Sequence, residues 1–157
     1  MGKRARILVV DDDESIRKVL ATILEEEGYA VDTAENGKGA IKKSKEKFYN
    51  LALIDIRLPD MEGTELLAKI KKAVPKMRKI IITGYPSLQN AIQALNKGAD
   101  AYIVKPFDMD KVLETIKEQM KKQDEEKKYS QEKVKEFIEM RVKELEEEKT
   151  VSRRKPR

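Results

Sequence analysis

The chain has 157 residues, 40% of them charged and 5% aromatic, with 34 Lys and Arg against 29 Asp and Glu for a net charge of +5. That length suits one domain of ordinary size plus an appendage, and a charge surplus so small beside the gross charge does not by itself argue for nucleic acid. With no apolar run near the ~20 residues a membrane-spanning helix needs and no signal-peptide core, a cytoplasmic protein is expected. The absence of cysteine and histidine excludes disulfides, sulfur-built zinc sites, Ser-His-Asp catalysis and imidazole ligands, leaving carboxylate, lysine, hydroxyl and backbone chemistry.

Residues 5–10 predict a first strand that runs into the acidic stretch Asp11-Asp12-Asp13-Glu14. Ile16, Val19, Leu20, Ile23 and Leu24 then recur at helical spacing, and Gly28 stands where a helix C-cap belongs. Carboxylates at a helix N-terminus gain ~0.3–1 kcal/mol each from the macrodipole. That accounts for Asp13 and Glu14, and less well for Asp11 and Asp12 at the strand's end. Residues 29–34 give a short second strand, and Asn36 is an N-cap for a weaker helix carrying Ala40, Ile41 and Ser44.

Leu51-Ala52-Leu53-Ile54 reads as a third strand buried on both faces, running straight into Asp55 and a loop marked by Pro59 and Gly63. Leu66, Leu67, Ile70 and Val74 mark a third helix that stops before Pro75. Residues 79–83 form the fourth strand, ending in Thr83 and followed by Gly84 and Pro86. Leu88, Ala91, Ile92 and Leu95 make a fourth helix closed by the Asn96-Lys97-Gly98 turn. Residues 101–104 are the fifth strand, leading into Lys105-Pro106, and Asp108 opens a fifth helix through Val112, Leu113, Ile116 and Met120. Five strands alternate with five helices, and every connection is too long for a hairpin. The fold class is therefore α/β, a doubly wound parallel sheet with right-handed crossovers and helices on both faces.

Past Met120 the composition changes. Residues 121–128 contain no apolar side chain, which permits a solvated continuation of the helix or a linker. Tyr129, Ser130 and Val134 fit a fresh helix start, with Ser130 as N-cap and Tyr129 stapled to Val134. Val134, Ile138, Val142 and Leu145 make one narrow apolar stripe, widened by Phe137, that needs a partner surface. Residues 152–157 read as a basic disordered tail. The boundaries expected are thus 1–121 for the main domain, 122–151 for a charged helical extension, and 152–157 for the tail.

In such a sheet the carboxyl ends of all strands share one edge, where ligands and chemistry collect. With strand one between strands two and three, Asp11, Asp12, Asp55, Thr83 and Lys105 converge on one crevice. Clustered carboxylates raise one another's pKa unless a cation sits among them, and an all-oxygen ligand set suits a hard ion, Mg²⁺. A carboxylate is already ionised at neutral pH, so Asp55 needs no general base to attack phosphorus and form an aspartyl phosphate. The metal and Lys105 would neutralise the equatorial oxygens, and Thr83 would hydrogen-bond the product phosphoryl group.

The Asp11-Asp12 pair after an apolar strand, Asp55 before Leu58-Pro59-Asp60-Met61-Glu62-Gly63, Thr83-Gly84, and Tyr102 before Lys105-Pro106-Phe107 together resemble the receiver domain of two-component response regulators. The resemblance covers residues 4–121. It implies a flavodoxin-like fold with strand order 2-1-3-4-5 and phosphorylation of Asp55 by a sensor histidine kinase or phosphotransfer protein. It also implies an acceptor rather than an enzyme, one that at most catalyses its own phosphotransfer and dephosphorylation. The backbone carbonyl of Arg57 would complete the metal shell, and the peptide before Pro106 would be cis. Thr83 and Tyr102 would act as the switch, remodelling the face built from helix four, strand five and helix five to control a partner or output domain.

Other classes fit less well. A phosphatase working through an aspartyl phosphate, of the haloacid-dehalogenase type, needs a second acid two residues after the nucleophile, where this chain has Arg57. A dinucleotide-binding module needs a glycine-rich turn after strand one, where an acidic loop would repel pyrophosphate. Residues 121–157 carry 13 basic and 10 acidic residues, a net of +3. The short cluster Arg153-Arg154-Lys155-Arg157 is therefore a weaker case for nucleic-acid contact than a solvated, linking or dimerising helix is. A homodimer through either the helix-four to helix-five face or the C-terminal helix is the partner expectation, with no membrane.

Overall fold

The computed structural model describes residues 4–70, 72 and 75–154. The chain runs β1 (Arg6–Val10), α1 (Glu14–Glu26), β2 (Ala30–Ala34), α2 (Gly37–Glu46), β3 (Leu51–Asp55), α3 (Gly63–Lys69), β4 (Arg78–Thr83), α4 (Leu88–Asn96), β5 (Ala101–Val104) and α5 (Met109–Arg154). All four strand pairings are parallel and the sheet order is β2-β1-β3-β4-β5. Compactness divides the described chain after Gln123, leaving the rest of α5 from Asp124 as its own unit.

Strand residues alternate between two cores because successive side chains point to opposite faces. On one face Leu8, Val10, Ala52, Ile54 and Ile81 pack with Ala40 of α2, Leu66 and Leu67 of α3, and Ala94 of α4. On the other, Ile7, Val9, Leu51, Leu53, Ile80, Ile82 and Ile103 pack with Leu20 and Leu24 of α1 and Val112 and Ile116 of α5. The continuous apolar reading of β3 matches full burial of all five of its residues. Asp13 caps α1 by accepting from the Ile16 N–H, and Asn36 caps α2 by accepting from that of Gly39. Gly28 closes α1 at φ +98°, a left-handed conformation that costs glycine no Cβ clash.

Two local expectations change. The third helix stops at Lys69, and Ile70 leaves it in an extended conformation while staying in the core; Val74, assigned to that helix, lies outside the described residues. Ser130 caps nothing, because α5 is helical without a break from Met109 to Arg154. Residues 121–128 are all helix-compatible, with no Gly or Pro to stop propagation. Tyr129, instead of stapling an entry turn, lies 5.5 Å below the Lys133 ammonium. The helix also takes in residues 152–154 of the expected tail, while residues 155–157 lie outside the described ones.

Two buried polar groups hold the amino ends of the strands. Gln123 donates to the carbonyls of Asn50 and Lys76, both at 2.8 Å, and accepts from Asn50 Nδ2 at 3.2 Å. Lys79 reaches the Leu67 carbonyl at 3.2 Å. Burial, aided by the charge of Lys76 and opposed by that of Asp100, pushes its ammonium below the ordinary 10.5. In the window between that lowered value and 10.5 the unfolded chain binds more protons, so Lys79 makes stability rise with pH there. Lys79→Met should lose this rise. Between urea denaturations at about pH 7 and about pH 9.5 the stability difference should move in favour of the parent. A constant difference would contradict the assignment.

Candidate functional site

Because the sheet is parallel, β1, β3, β4 and β5 deliver their last residues to one edge. Asp55 ends β3 and is 7% exposed, Asp11 follows β1 at 3%, and Thr83 ends β4 at 0%. Asp12 is exposed, and one carboxylate oxygen from each of Asp11, Asp12 and Asp55 lies within 4.8 Å of the other two. Lys105, just beyond β5, donates from Nζ to Asp11 Oδ2 at 2.7 Å and to Asp55 Oδ2 at 3.2 Å. The five residues singled out from strand ends therefore do meet at one edge.

The electrostatics follow from burying acids beside one another. Burial raises the Asp55 pKa, Lys105 pulls it back in part, Asp11 pushes it up again, and the net is upward. Burial alone would lower the Lys105 ammonium, but its hydrogen bond and charge attraction to Asp11, joined by Asp55, outweigh that and leave it raised. Lys105 is thus a firmly charged clamp between two acids. The Asp13 N–H donates to Asp11 Oδ1 at 2.9 Å, and Arg17 Nη1 holds the Asp11 carbonyl at 2.7 Å. A set of three convergent carboxylates with oxygen donors only fits a hard divalent ion such as Mg²⁺.

Around this centre, the Arg57 N–H donates to Asp55 Oδ1 at 3.3 Å, and its guanidinium stacks on the Tyr85 ring at 3.8 Å from the centroid. The Thr83 hydroxyl accepts from the Tyr85 N–H at 3.0 Å. Tyr102 packs against the core on the α2–α4 face, and its buried hydroxyl meets no hydrogen-bond partner among the described residues. The Lys105–Pro106 peptide is cis.

One positioning residue escaped the sequence reading. Asp60 accepts from the N–H groups of Gly37 at 2.8 Å and Lys38 at 2.9 Å, so the loop after Asp55 caps the N-terminus of α2. Those hydrogen bonds, with the two N–H groups at a helix start, hold its carboxyl below the usual range. Asp60 was visible only as part of a loop motif, and its partners lie 22 and 23 positions earlier in the chain. Gly63 is required by close approach, since a Cβ there would stand 2.4 Å from the Asp55 carbonyl oxygen.

Residues 7–117 match the family described as response regulator receiver domain. The chain is 43% identical over 117 residues to the transcriptional regulatory protein ZraR of Klebsiella oxytoca, covering 74% of this chain and 26% of that protein. It is 43% identical over 114 residues to the transcriptional regulatory protein ResD of Bacillus subtilis, covering 71% and 46%. The chain therefore spans about a quarter to a half of the length of these relatives. Among solved structures, a CheY-like receiver domain protein from Methanospirillum hungatei aligns with TM-score 0.76 and 51% identity over 79% of this chain and 99% of that one. The beryllofluoride-activated NtrC4 receiver domain dimer aligns with TM-score 0.70 and 42% identity over 75% and 98%. The match runs from the first buried residue of β1 into α5, past the acid cluster and Lys105, and the chain belongs to the response regulator receiver domain family.

Proposed function

We propose that the chain is a phosphorylation-driven switch of a two-component relay, with Asp55 as acceptor. The observation that carries this reading is the Lys105 ammonium bonded to both Asp11 and Asp55 beside the exposed Asp12. An Asp55 oxygen attacks the phosphorus of a phosphohistidine on a sensor kinase or phosphotransfer protein; the P–O bond forms as the P–N bond breaks. Asp11, Asp12, Asp55 and the Arg57 carbonyl would hold Mg²⁺, which when bound offsets the negative charge of the phosphoryl oxygens. Lys105 neutralises a further oxygen. Thr83, whose hydroxyl oxygen accepts from Tyr85, keeps its own O–H to donate to the phosphoryl group.

Movement of Thr83 toward that group frees space that the Tyr102 ring, already on the core side, occupies more deeply. The face of α4, β5 and the start of α5 then changes for a partner or output domain. Leu88, Ile92 and Leu95 of α4 and Val104 of β5 are already exposed there. The chain is an acceptor rather than a turnover enzyme, catalysing at most its own phosphorylation and dephosphorylation. A cytoplasmic setting suits such a relay, and no helix among the described residues is long and apolar enough to cross a membrane.

Asp12→Ala should weaken Mg²⁺ binding about tenfold or more while leaving the melting temperature nearly unchanged, because this acid is exposed. Magnesium titration followed by fluorescence or calorimetry measures the affinity. An unchanged value would assign the acidic run to capping of α1 alone.

A further inference from the structure

Residues 124–151 form a helix whose side chains are all exposed, so its pattern is legible without reference to any other element. With 3.6 residues per turn, Ile138, Val142 and Leu145 line one seam, 54%, 48% and 45% exposed respectively. Lys135 and Lys149 continue that seam on either side, and Val134 flanks it. Phe137 and Met140 fall outside it. In heptad terms Ile138 and Leu145 take one core position and Val142 the other, with lysines at the layers equivalent to Val142. Val142 with Leu145 at the complementary position is the pairing two-stranded parallel coiled coils favour, Ile138 adds no such preference, and lysines at the Val142-type layers set register at some cost in stability.

The flanks decide the orientation. On one side stand Glu132, Glu139 and Glu146, seven residues apart. The other side carries Lys127, Val134, Arg141 and Glu148. Parallel in-register pairing sets each flank against the opposite flank of the partner helix, five residues further on. Lys127 then meets Glu132 of the second copy, and Arg141 meets its Glu146. Antiparallel pairing over the same core would set Glu139 against Glu139 and Arg141 against Arg141. We propose that this helix pairs with a second copy of itself as a parallel, in-register coiled coil through Ile138, Val142 and Leu145, oriented by the Lys127–Glu132 and Arg141–Glu146 contacts between copies.

Three apolar layers between lysine layers give a weak, concentration-dependent dimer. Arg141 now bonds Glu144 of its own helix at 3.0 Å, and this exposed pair is easily exchanged. The pairing does not rest on the phosphoacceptor reading, and the Asp55→Asn chain should pair as well as the parent.

The chain has no cysteine, so single-cysteine variants of the full chain report one position each. Under mild oxidation Leu145→Cys should give disulfide-linked dimer, because parallel pairing places the two copies of position 145 in one layer. Lys133→Cys, on the outer face, should give at least about tenfold less. Sedimentation equilibrium should show Arg141→Glu weakening association about tenfold and Arg141→Glu with Glu146→Arg restoring it. Equal cross-linking at both positions, or a chain that stays monomeric at all concentrations, would overturn the proposal. So would cross-linking that needs Lys135→Cys and Leu145→Cys together, the antiparallel signature.

Discussion

Asp55→Asn should abolish phosphoryl incorporation from acetyl phosphate and Mg²⁺, read as the loss of one phosphoryl mass on the intact protein. The amide has the shape of the carboxylate and none of its anionic nucleophilicity, so an acyl phosphate cannot form. The fold should not suffer. Asp55 is buried beside Asp11, burial is the main reason its pKa is raised, and neutralising it relieves that repulsion. Lys105 keeps its shorter bond, to Asp11 at 2.7 Å. The variant should therefore melt no lower than the parent, which separates lost chemistry from lost structure. Full labelling of Asp55→Asn, mapped to another residue, would displace the acceptor assignment.

Gly63→Ala should unfold the domain more readily and slow phosphorylation together. A Cβ at this position would lie 2.4 Å from the Asp55 carbonyl oxygen and 2.8 Å from Ile56 Cα, and both obstacles are backbone. The Gly63 N–H is also bonded to the Ile56 carbonyl at 2.6 Å, leaving no easy direction of retreat. Relief requires moving the end of β3, which carries the acceptor, and overpacking of this kind costs about 1–3 kcal/mol. Gly37→Ala is the comparison, because the nearest atoms to its new Cβ belong to the Met61 side chain, which can rotate away, rather than to backbone. Urea denaturation should rank the parent first, Gly37→Ala second and Gly63→Ala last. A Gly63→Ala chain within about 0.5 kcal/mol of the parent would contradict the contact.

Local signals revealed most of the fold. Apolar runs bounded by acids, glycines and prolines mark the strands, and the caps at Asn36 and Gly28 are one-residue signals whose partners are near in sequence. The convergence of Asp11, Asp55, Thr83 and Lys105 was legible because parallel topology alone sends every strand end to one edge. Long-range polar bonds were not legible: Asp60 to α2, Gln123 to Asn50 and Arg57 to Tyr85 join segments whose separation no periodicity encodes. The end of α3 was misjudged for another reason. Leu66, Leu67 and Ile70 keep helical spacing, but Ile70 reaches the core from an extended backbone, and spacing cannot tell the two apart. Ser130 shows the converse, since a good cap residue starts no helix where one already runs through it.

The bonds from Asp60 to α2 give the crevice a mechanical polarity. On one flank the loop after Asp55 is braced by two short bonds to a helix start, by Met61 seated on Gly37, and by Gly63 against the strand behind it. On the other, the turn after β4 is held by the Thr83–Tyr85 bond, a 3.3 Å bond from Asn90 to the Tyr85 carbonyl, and the Arg57 guanidinium stacked on the Tyr85 ring. One jamb is bolted and the other latched. Under the switch proposed for Asp55, a push delivered between them would be relayed by the side that yields, so the message would leave through the β4–α4 turn while the α2 side served as the anvil.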